Sequence, residues 1–380
     1  GNPRAINGWW KAGMGMEEKI GVLTFVYNEN YGSALQAFAL QRILTPWSRE
    51  VKHLCYTPDT KERLKNFITS RNSPALLLMG VNKRLVKKRH PGARDRSSAF
   101  RAFYSEDLRV TRILRNSAAV EAASKAFDVL ICGSDQIWSP VWFNPVYFLP
   151  FASEGQRRIA YAPSLGASVI RSRHKAKKIT SLLANFQHLS VREPQGARLL
   201  GSLLHRNDIP VLLDPVCLLA REEWEAYAAR PIAVTENDPP YIFCYFLGDH
   251  PRYWREARAF AGRTGMRLKV AAVTQKAYKQ PYDILDGLSP AQWLGYLSRA
   301  AYVFTDSFHC TVFSIIMERN FHVFLRDNPR RASCKNARIE SVLNLFQLKF
   351  HNENGDWDEK RRTLVSLREK SLRWLREALR

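Results

Sequence analysis

Apolar runs rich in β-branched residues alternate with helix-like stretches along most of the chain. The first run, KIGVLTFV at residues 19–26, is continuously apolar, which is typical of a strand covered on both faces. Turn residues follow, and SALQAFALQRIL then shows helical spacing with Ser33 as the expected N-cap. Comparable units contain AFDVLICGSDQIW, RRIAYAPSLGAS, HLSVREPQGARLL, VLLDPVCLL, YIFCYFLG, LKVAAV and AYVFTDSFHCTVFSIIM. This pattern predicts an α/β chain with parallel sheets.

The length of 380 residues favours two domains over one large core. KAFDVLICGSDQIWS in the first half resembles SRAAYVFTDSFHCTV in the second, which suggests two similar α/β domains. We expect a leader outside the fold at residues 1–16, an N-terminal domain at 17–185, a C-terminal domain at 186–355 and a closing helix at 356–380.

The composition narrows the class of protein. A hydrophobic fraction of 46% can fill real cores, and no apolar run reaches the ~20 residues needed to cross a bilayer. The first 16 residues lack the features of a secretory signal. Six scattered cysteines show neither metal spacing nor a disulfide framework, so we expect no metal and a reducing, cytoplasmic location.

The chain is strongly basic, with a formal net charge of +23. The densest segment is residues 82–103, where eight lysines and arginines accompany one acid, Asp95. No nucleic-acid-binding motif and no interleaved aromatic residues are present, so we expect no nucleic-acid partner. Two interpretations remain: a peripheral surface for an anionic membrane, lipid-linked intermediate or acidic polymer, or a solvated basic helix face.

Polar residues gather where the predicted strands end. No Walker loop, dinucleotide fingerprint, nucleophile elbow, kinase set or zinc-protease helix occurs. In open α/β sheets, ligands bind beyond the carboxyl ends of the strands, which makes these clusters the candidate site. Their members are Asn30, Gly32, Ser33, Ser134, Asp135, Gln136, Ser164, Arg192, Ser307, His309, Thr311, Lys335, Asn336 and Arg338.

Each cluster has a functional and a structural interpretation. Gly32 allows close backbone approach at a helix N-terminus that can bind an anion, or belongs to a well-capped helix. Asp135 can hold or deprotonate a sugar hydroxyl, with Trp138 as a flat apolar face; alternatively, Ser134 or Asp135 caps a helix and Trp138 is core. Arg192 can clamp a carboxylate or phosphate, or pair with Glu193.

His309 follows a buried strand at the point where a helix is expected to begin. A histidine there can donate a proton near neutral pH or bind an oxyanion, or it can be a satisfied core residue. Ser307 and Thr311 are candidate caps of the helix that begins at TVFSIIM.

Taken together and in order, seven motifs resemble the polysaccharide pyruvyl transferase family. They are GVLTFVYNENYGSALQAFALQ, DVLICGSDQIW, IAYAPSLGAS, SVREPQGARLL, VLLDPVCLL, AYVFTDSFHCTVFSIIMERNF and KNARIESVLNLFQL, and they run from Gly21 to Leu348. The resemblance implies a glycosyltransferase-B-like fold of two facing Rossmann-like domains. It also implies transfer of pyruvate from phosphoenolpyruvate to sugar hydroxyls as a ketal, for a surface or exopolysaccharide, with no metal or other cofactor.

The resemblance also implies roles for the clustered residues. His309 is the first candidate for the general acid or phosphate contact, and Arg192 and Arg338 would hold the anions of phosphoenolpyruvate in the C-terminal domain. Ser134, Asp135 and Gln136, with the loop at residues 30–33, would face a saccharide or lipid-linked saccharide acceptor in the N-terminal domain.

Two positions depart from the family pattern. Some relatives have an arginine where this chain has Ser307, so Arg338, Lys335 or Arg331 would have to supply an anion clamp. Cys310 stands where a glycine is usual and would strain or crowd a turn that needs a positive φ. Two alternatives therefore remain open beside the transferase: a glycosyltransferase using a nucleotide sugar, and a non-catalytic protein that binds an anionic polymer.

Overall fold

The computed structural model of the protein describes residues 17–70, 72, 90–229, 232, 238–326, 336–352 and 356–380. The leader expected at residues 1–16 lies outside them. The strands that it defines form two separate sheets, one in each half of the chain. The predicted α/β organisation is thereby confirmed.

The first sheet is parallel and has the order β2-β1-β3-β4-β5. The central strands β1 and β3 have apolar sequences and are almost fully buried, as expected for strands covered on both faces. The strand order reverses between β1 and β3, which is where ligands bind in open sheets. The strands are β1 (Lys19–Leu23), β2 (Glu50–His53), β3 (Val129–Cys132), β4 (Arg157–Ala160) and β5 (His188–Leu189).

The second sheet has the order β11-β10-β9-β6-β7-β8, with β11 antiparallel to β10 and the other pairs parallel. Its strand order reverses between β6 and β9. The strands are β6 (Tyr241–Tyr245), β7 (Arg267–Ala271), β8 (Asp283–Leu285), β9 (Tyr302–Thr305), β10 (Asn320–Val323) and β11 (His351–Asn352).

Helices connect the strands and cover both sheets. They are α1 (Tyr31–Leu44), α2 (Thr60–Thr69), α3 (Pro91–Glu106), α4 (Ser117–Ser124), α5 (Arg173–Leu183), α6 (Pro194–Leu204), α7 (Arg221–Ala228), α8 (Pro251–Thr264), α9 (Gln275–Tyr278), α10 (Pro290–Arg299), α11 (Phe308–Ile316), α12 (Asn336–Leu345) and α13 (Trp357–Ala378). Short 3₁₀-helices occur at Thr45–Trp47, Pro145–Phe148 and Pro215–Cys217.

Two expectations about the middle of the chain need correction. VLLDPVCLL makes only an isolated bridge at Val211 and then a 3₁₀-helix, because Pro215 cannot donate to a sheet and Asp214 caps Val216 N at 3.2 Å. In addition, β5 pairs with β4, so the first sheet extends past residue 185, where the sequence suggested a boundary.

The two domains contact each other through α1 and α3. Tyr31 at the start of α1 donates to the carbonyl of Leu288 at 3.0 Å and stacks on Trp293 with ring centres 5.2 Å apart. Such an aromatic pair adds about 0.5–1.5 kcal/mol beyond its buried area. Arg96 of α3 is buried and donates to the carbonyl of Ala272 at 2.8 Å. These contacts stabilise a closed arrangement of the domains.

The closing helix expected at residues 356–380 is present as α13, and it returns to the first domain. Ser371 accepts a hydrogen bond from Leu213 N at 3.2 Å, and Arg157 of β4 donates to the carbonyl of Leu379. The chain terminus therefore contacts the first sheet although its sequence follows the second domain.

The basic segment at residues 82–103 lies partly in α3. Residues 82–89 fall outside the described part of the chain. In α3, Arg96 is buried between the domains, whereas Arg94 and Arg101 are exposed. Membrane contact through this segment stays a prediction, and Arg96 does not face the solvent.

None of the helices in the described ranges combines the length with the apolar character that a bilayer-spanning helix needs.

Candidate functional site

The carboxyl ends of β3 and β9 converge on one carboxylate, Asp214. His309, in the first turn of α11 after β9, places Nε2 3.3 Å from Asp214 Oδ2. Ser134, two residues after β3, places its Oγ 3.4 Å from the same oxygen. Since both strands border the reversal point of their sheet, the candidate site lies where the topology of each domain favours ligand binding.

Gly32 brings the N-terminus of α1 against His309. A Cβ atom at position 32 would lie 2.2 Å from Nδ1 of His309 and 2.3 Å from Cγ, so the ring packs on the glycine backbone. The group that approaches the backbone of Gly32 closely is therefore the side chain of His309, from the other domain. The N-cap of α1 is Asn30, which accepts from Ser33 N at 3.1 Å, and not Ser33 as expected.

Asp214 links His309 to Arg192. Arg192 Nη1 donates to Asp214 Oδ2, and all three side chains are buried. Burial by itself would raise the pKa of Asp214, but the neighbouring His309 and Arg192 hold it below its usual range. The carboxylate therefore stays ionised and fixes the orientation of the imidazole ring.

Two buried arginines flank the ring of Phe308. The guanidinium carbon of Arg192 lies 4.3 Å from the ring centre and that of Arg338 lies 5.7 Å from it. Nε and Nη2 of Arg192 and Nε of Arg338 have no hydrogen-bond partner among the described residues. An unpartnered buried N–H group is costly, so these donors fit an anion with several acceptor oxygens.

Arg338 differs from Arg192 in its electrostatic surroundings. Burial, followed by the nearby charges of Arg192 and Arg326, lowers the pKa of Arg338 to about 9. For Arg192, burial opposes the charged form, but Asp214 and Glu193 raise its pKa overall. Arg338 is thus a cation at neutral pH in surroundings that are already positive, which favours binding of an anion.

Asp306 and Arg326 extend the site along the second sheet. Asp306 is fully buried and accepts from Leu247 N at 2.7 Å and Gly248 N at 2.8 Å. Arg326, three residues after β10, places Nε 3.8 Å from Asp306 Oδ2. The carboxylate therefore ties the loop after β6 to the end of β10.

Asp135 follows β3 and faces α1. Its Oδ2 accepts from Ser33 Oγ, and its Oδ1 accepts from Gln136 N at 2.8 Å. The residue has a positive φ of 68° and no helix follows, so it does not cap one. Trp138 is core, stacked on Phe148 with ring centres 5.0 Å apart, and offers no face to a ligand.

Three predicted ligand contacts have structural partners instead. Ser134 is fully buried and donates to the carbonyl of Ala162 at 2.7 Å. Ser164 donates to Glu193 Oε1 at 2.8 Å. Thr311 is fully buried and donates to the carbonyl of Ser307 at 2.9 Å within α11. These side chains support the loops and the helix of the site.

Glu193 and Gln136 hold the loop after β4. Besides Ser164, Glu193 Oε1 accepts from Leu165 N at 3.0 Å and Gly166 N at 3.1 Å. A Cβ at Gly166 would lie 2.0 Å from Gln136 Nε2, which shows how closely that amide packs on the loop. Glu193 is 3.9 Å from Arg192, a longer ion pair than the contact of Arg192 with Asp214.

Ser307 and Cys310, the two departures from the family pattern, both fit the start of α11. Ser307 is the N-cap of α11 and accepts from Cys310 N at 3.4 Å. Cys310 is fully buried inside a regular helix and is not among the residues with positive φ. The expected strain at Cys310 does not arise, because the helix has already begun there.

Asn336, Lys335 and Arg331 are the remaining residues that the sequence analysis named. Asn336 is its first residue and is buried. Lys335 and Arg331 lie outside the described residues.

Four site residues were missed by sequence reasoning: Asp214, Asp306, Phe308 and Arg326. Asp214 had one signal, an acid placed directly between an apolar run and a proline in VLLDPVCLL. Phe308 reads as an ordinary apolar residue, and Arg326 as a surface arginine after FHVFL. Their positions depend on contacts between distant parts of the chain.

No group of three or more metal-ligating side chains is found in the part of the chain that the structure describes.

Comparison with family models shows to which protein family the chain belongs. A family model described as polysaccharide pyruvyl transferase matches residues 30–328. The chain belongs to the polysaccharide pyruvyl transferase family. The matched range includes Asp135, Arg192, Asp214 and His309, whereas Arg338 lies beyond it. No curated protein matches the sequence.

Solved structures show a related fold. A UDP-N-acetylglucosamine 2-epimerase from Rickettsia bellii has a TM-score of 0.50 at 7% identity, covering 95% of this chain and 96% of its own. The UDP-GlcNAc 2-epimerase from Neisseria meningitidis bound to UDP-GlcNAc has a TM-score of 0.46 at 11% identity, with coverages of 93% and 99%. An E. coli heptosyltransferase has a TM-score of 0.38 at 10% identity, with coverages of 86% and 99%.

At these identities the likeness concerns the fold alone. The pyruvyl transferase chain has the glycosyltransferase-B-like fold of two facing Rossmann-like domains that the resemblance implied.

Proposed function

We propose that the protein transfers pyruvate from phosphoenolpyruvate to two hydroxyls of a saccharide, forming a ketal, in the biosynthesis of a surface or exopolysaccharide. Beyond the family, one observation carries the proposal: two buried arginines, Arg192 and Arg338, have unpartnered N–H groups beside the His309–Asp214 pair. Phosphoenolpyruvate is a small molecule with two anionic groups, a carboxylate and a phosphate, which such donors bind well.

The donor would be held between the two domains. Arg192, which follows β5 of the first sheet, offers Nε and Nη2, and Arg338 of α12 offers Nε, both close to the ring of Phe308. The N-terminus of α11 adds a partial positive charge at the same point. Arg326 is placed to supply the cation that some relatives carry at the position of Ser307.

His309 is the proposed general acid. Its Nε2 lies 3.3 Å from Asp214 Oδ2, so Nδ1 is the nitrogen that we propose exchanges a proton with substrate. Nδ1 lies beside Gly32, at the junction of the two domains, where a donor and an acceptor would meet. A positioned acid of this kind contributes on the order of 10²–10⁴-fold to a rate.

Asp135 is the proposed contact of the acceptor. Its carboxylate already accepts a hydroxyl hydrogen bond from Ser33, a geometry that a sugar hydroxyl could copy. Asn30 and Gly32 border the same loop, at the N-terminus of α1. Ser134, Ser164 and Thr311 act only by supporting this arrangement, and Gln136 by packing on the loop at Gly166.

The reaction balances without an added oxidant or reductant. Protonation of the methylene carbon by His309 gives a methyl group and an oxocarbenium-like centre. A sugar hydroxyl adds to this centre and gives up its proton to His309 or Asp135, and the carbon–oxygen bond to phosphate breaks. A second hydroxyl then closes the ring and loses its proton, so the products are the ketal and inorganic phosphate.

The test is incubation of the protein with phosphoenolpyruvate and a panel of hexosides or lipid-linked sugars, with phosphate release and the ketal methyl signal as readouts. His309→Gln should fold normally and lose turnover, whereas the exposed His205→Asn should keep it. No turnover, together with no thermal stabilisation by phosphoenolpyruvate, would refute the proposal. Stabilisation by nucleoside diphosphates instead would favour a glycosyltransferase.

The proposal includes no metal and no cofactor other than the co-substrate phosphoenolpyruvate. Turnover that survives a chelator would support this part, and turnover restored only by a divalent cation would contradict it.

The acceptor is proposed to be a saccharide or a lipid-linked saccharide in the cytoplasm. We also propose membrane contact through residues 82–103. Removing the charges of Arg94 and Arg101 tests this contact.

A further inference from the structure

The most exposed large apolar side chains of the described residues lie together on α2. Leu64 is 56% exposed and Ile68 is 63% exposed, more than any other large apolar side chain in those ranges. With Lys61 and Lys65 they occupy positions i, i+3, i+4 and i+7, which share one face of a helix. This face therefore combines exposed apolar and basic side chains.

The acid of α2 pairs with one of the two lysines of this face. Glu62 is buried, accepts from Ser117 N at 3.2 Å and lies 3.9 Å from Lys65. Its side chain points into the domain, and Lys61 and Lys65 remain exposed. The apolar pair is thus bordered by positive charge in the direction of the solvent.

A second basic element lies next to the end of α2. Lys175 of α5 donates to Asn72 Oδ1 at 2.9 Å, and Asn72 N donates to the carbonyl of Phe67 in α2 at 3.2 Å. The sequence RSRHKAKK at residues 171–178 carries no acid, and α5 has none in its whole length. Arg171, Arg173 and Lys177 are exposed.

Both helices follow strands of the first sheet at its carboxyl edge. α2 follows β2, α5 follows β4, and both strands are parallel to β3, whose carboxyl end carries Asp135. The loops that lead from β2 to α2 and from β4 to α5 therefore begin at the same edge of the sheet as the candidate site.

We infer that the exposed face of α2, together with the N-terminal turn of α5, is a docking surface for a bilayer with anionic headgroups. Shallow insertion of Leu64 and Ile68 at the headgroup boundary and attraction of the surrounding lysines and arginines are the two components of interfacial membrane binding. The apolar pair distinguishes this surface from a site for nucleic acid, which would need stacking aromatics or a base-reading motif.

The test is flotation of the intact protein with vesicles of phosphatidylcholine alone and of phosphatidylcholine mixed with phosphatidylglycerol. We expect binding to the anionic vesicles that weakens with salt. Lys61→Gln with Lys65→Gln should weaken it about fivefold per residue. Leu64→Ser with Ile68→Ser should weaken it about tenfold or more. Both double variants should have the Tm of the wild type, since all four side chains are exposed.

Matched controls are Leu345→Ser and Arg255→Gln, which remove an exposed apolar and an exposed basic side chain of the second domain. They should bind vesicles like the wild type. Equal binding to neutral vesicles, unchanged binding by both α2 double variants, or binding only to a DNA fragment that is insensitive to the Leu64 and Ile68 substitutions would overturn the inference. If Leu64→Ser with Ile68→Ser has a lower Tm than the wild type, vesicle binding by Lys61→Gln with Lys65→Gln becomes the test of the inference. The readout needs no turnover, so it is independent of the proposed reaction.

Discussion

Removing the charge of Asp214 tests the proposed site most directly. In Asp214→Asn the side chain keeps its shape and an oxygen that can still accept from Val216 N, so the cap of the 3₁₀-helix survives. What disappears is the negative partner of Arg192 and His309. Breaking a buried pair by removing one partner costs about 3–5 kcal/mol.

This cost corresponds to a measurable shift in Tm. An unfolding entropy of about 2.1 cal/mol/K per residue gives ~0.8 kcal/mol/K for 380 residues that unfold cooperatively. Asp214→Asn should therefore melt about 4–6 °C below the wild type by calorimetry. Turnover should fall by at least about 100-fold, because the imidazole of His309 loses the group that fixes its proton.

Asp208→Asn is the matched control. Asp208 is exposed and pairs with Arg206 at 2.8 Å in solvent, where such pairs contribute little. It should leave Tm and turnover unchanged. If Asp214→Asn has the same Tm as Asp208→Asn and keeps wild-type turnover, Asp214 neither stabilises Arg192 nor orients His309. The proposed mechanism is then wrong.

Three further results are expected. Gly32→Ala places a methyl group against His309; it should cost about 1–3 kcal/mol of stability and about 100-fold in kcat, because the ring must move on the order of 1 Å. Parallel melting and turnover measurements check this, and an unchanged kcat contradicts it. Arg338→Gln should raise KM for phosphoenolpyruvate at least about tenfold, since it removes a charged hydrogen bond. Its Tm should stay equal or rise, because burial, Arg192 and Arg326 disfavour the Arg338 cation more than Glu193 and Asp135 favour it. An equal KM contradicts this. The depressed pKa of Asp214 sets a pH dependence: its stabilisation is complete above the unfolded pKa of about 3.9 and is lost as pH falls through the lower folded value. The Tm gap between wild type and Asp214→Asn should thus be constant from about pH 7 to about pH 5 and shrink below about pH 4, and a gap that widens in acid refutes the assignment.

The strands and most of the helices could be predicted because their signals are local. Within the run at residues 19–26, β1 forms over Lys19–Leu23, and the final charged helix becomes α13. The position of His309 at a strand-to-helix junction is likewise confirmed, because β9 ends at Thr305 and α11 begins at Phe308. Each of these features depends on the periodicity of a short stretch.

The site could be predicted less well, because its geometry depends on contacts across the chain. Sequence reasoning placed Ser134, Ser164 and Thr311 at strand or helix ends but could not tell that each hydroxyl is already satisfied inside the fold. Nor could it connect Asp214 with His309, which lie in different parts of the chain. A polar residue at a strand end is equally suited to a ligand and to a neighbouring backbone group.

The closed arrangement of the domains has a consequence for how the site works. His309, Arg192 and Arg338 are each at most 7% exposed, so the proposed reaction requires the domains to separate before substrates can reach them. Separation must break the Tyr31–Leu288 hydrogen bond, the Tyr31–Trp293 stacking and the Arg96–Ala272 hydrogen bond. It also withdraws Gly32 from His309. Separation also exposes apolar surface, because Phe38 of α1 belongs to the same continuous core as Trp293 of α10 and Phe313 of α11. Anions bound by the arginines would help to offset this cost on closure. In the proposed mechanism, closure on both substrates returns His309 to Gly32 and excludes water from the oxocarbenium-like centre.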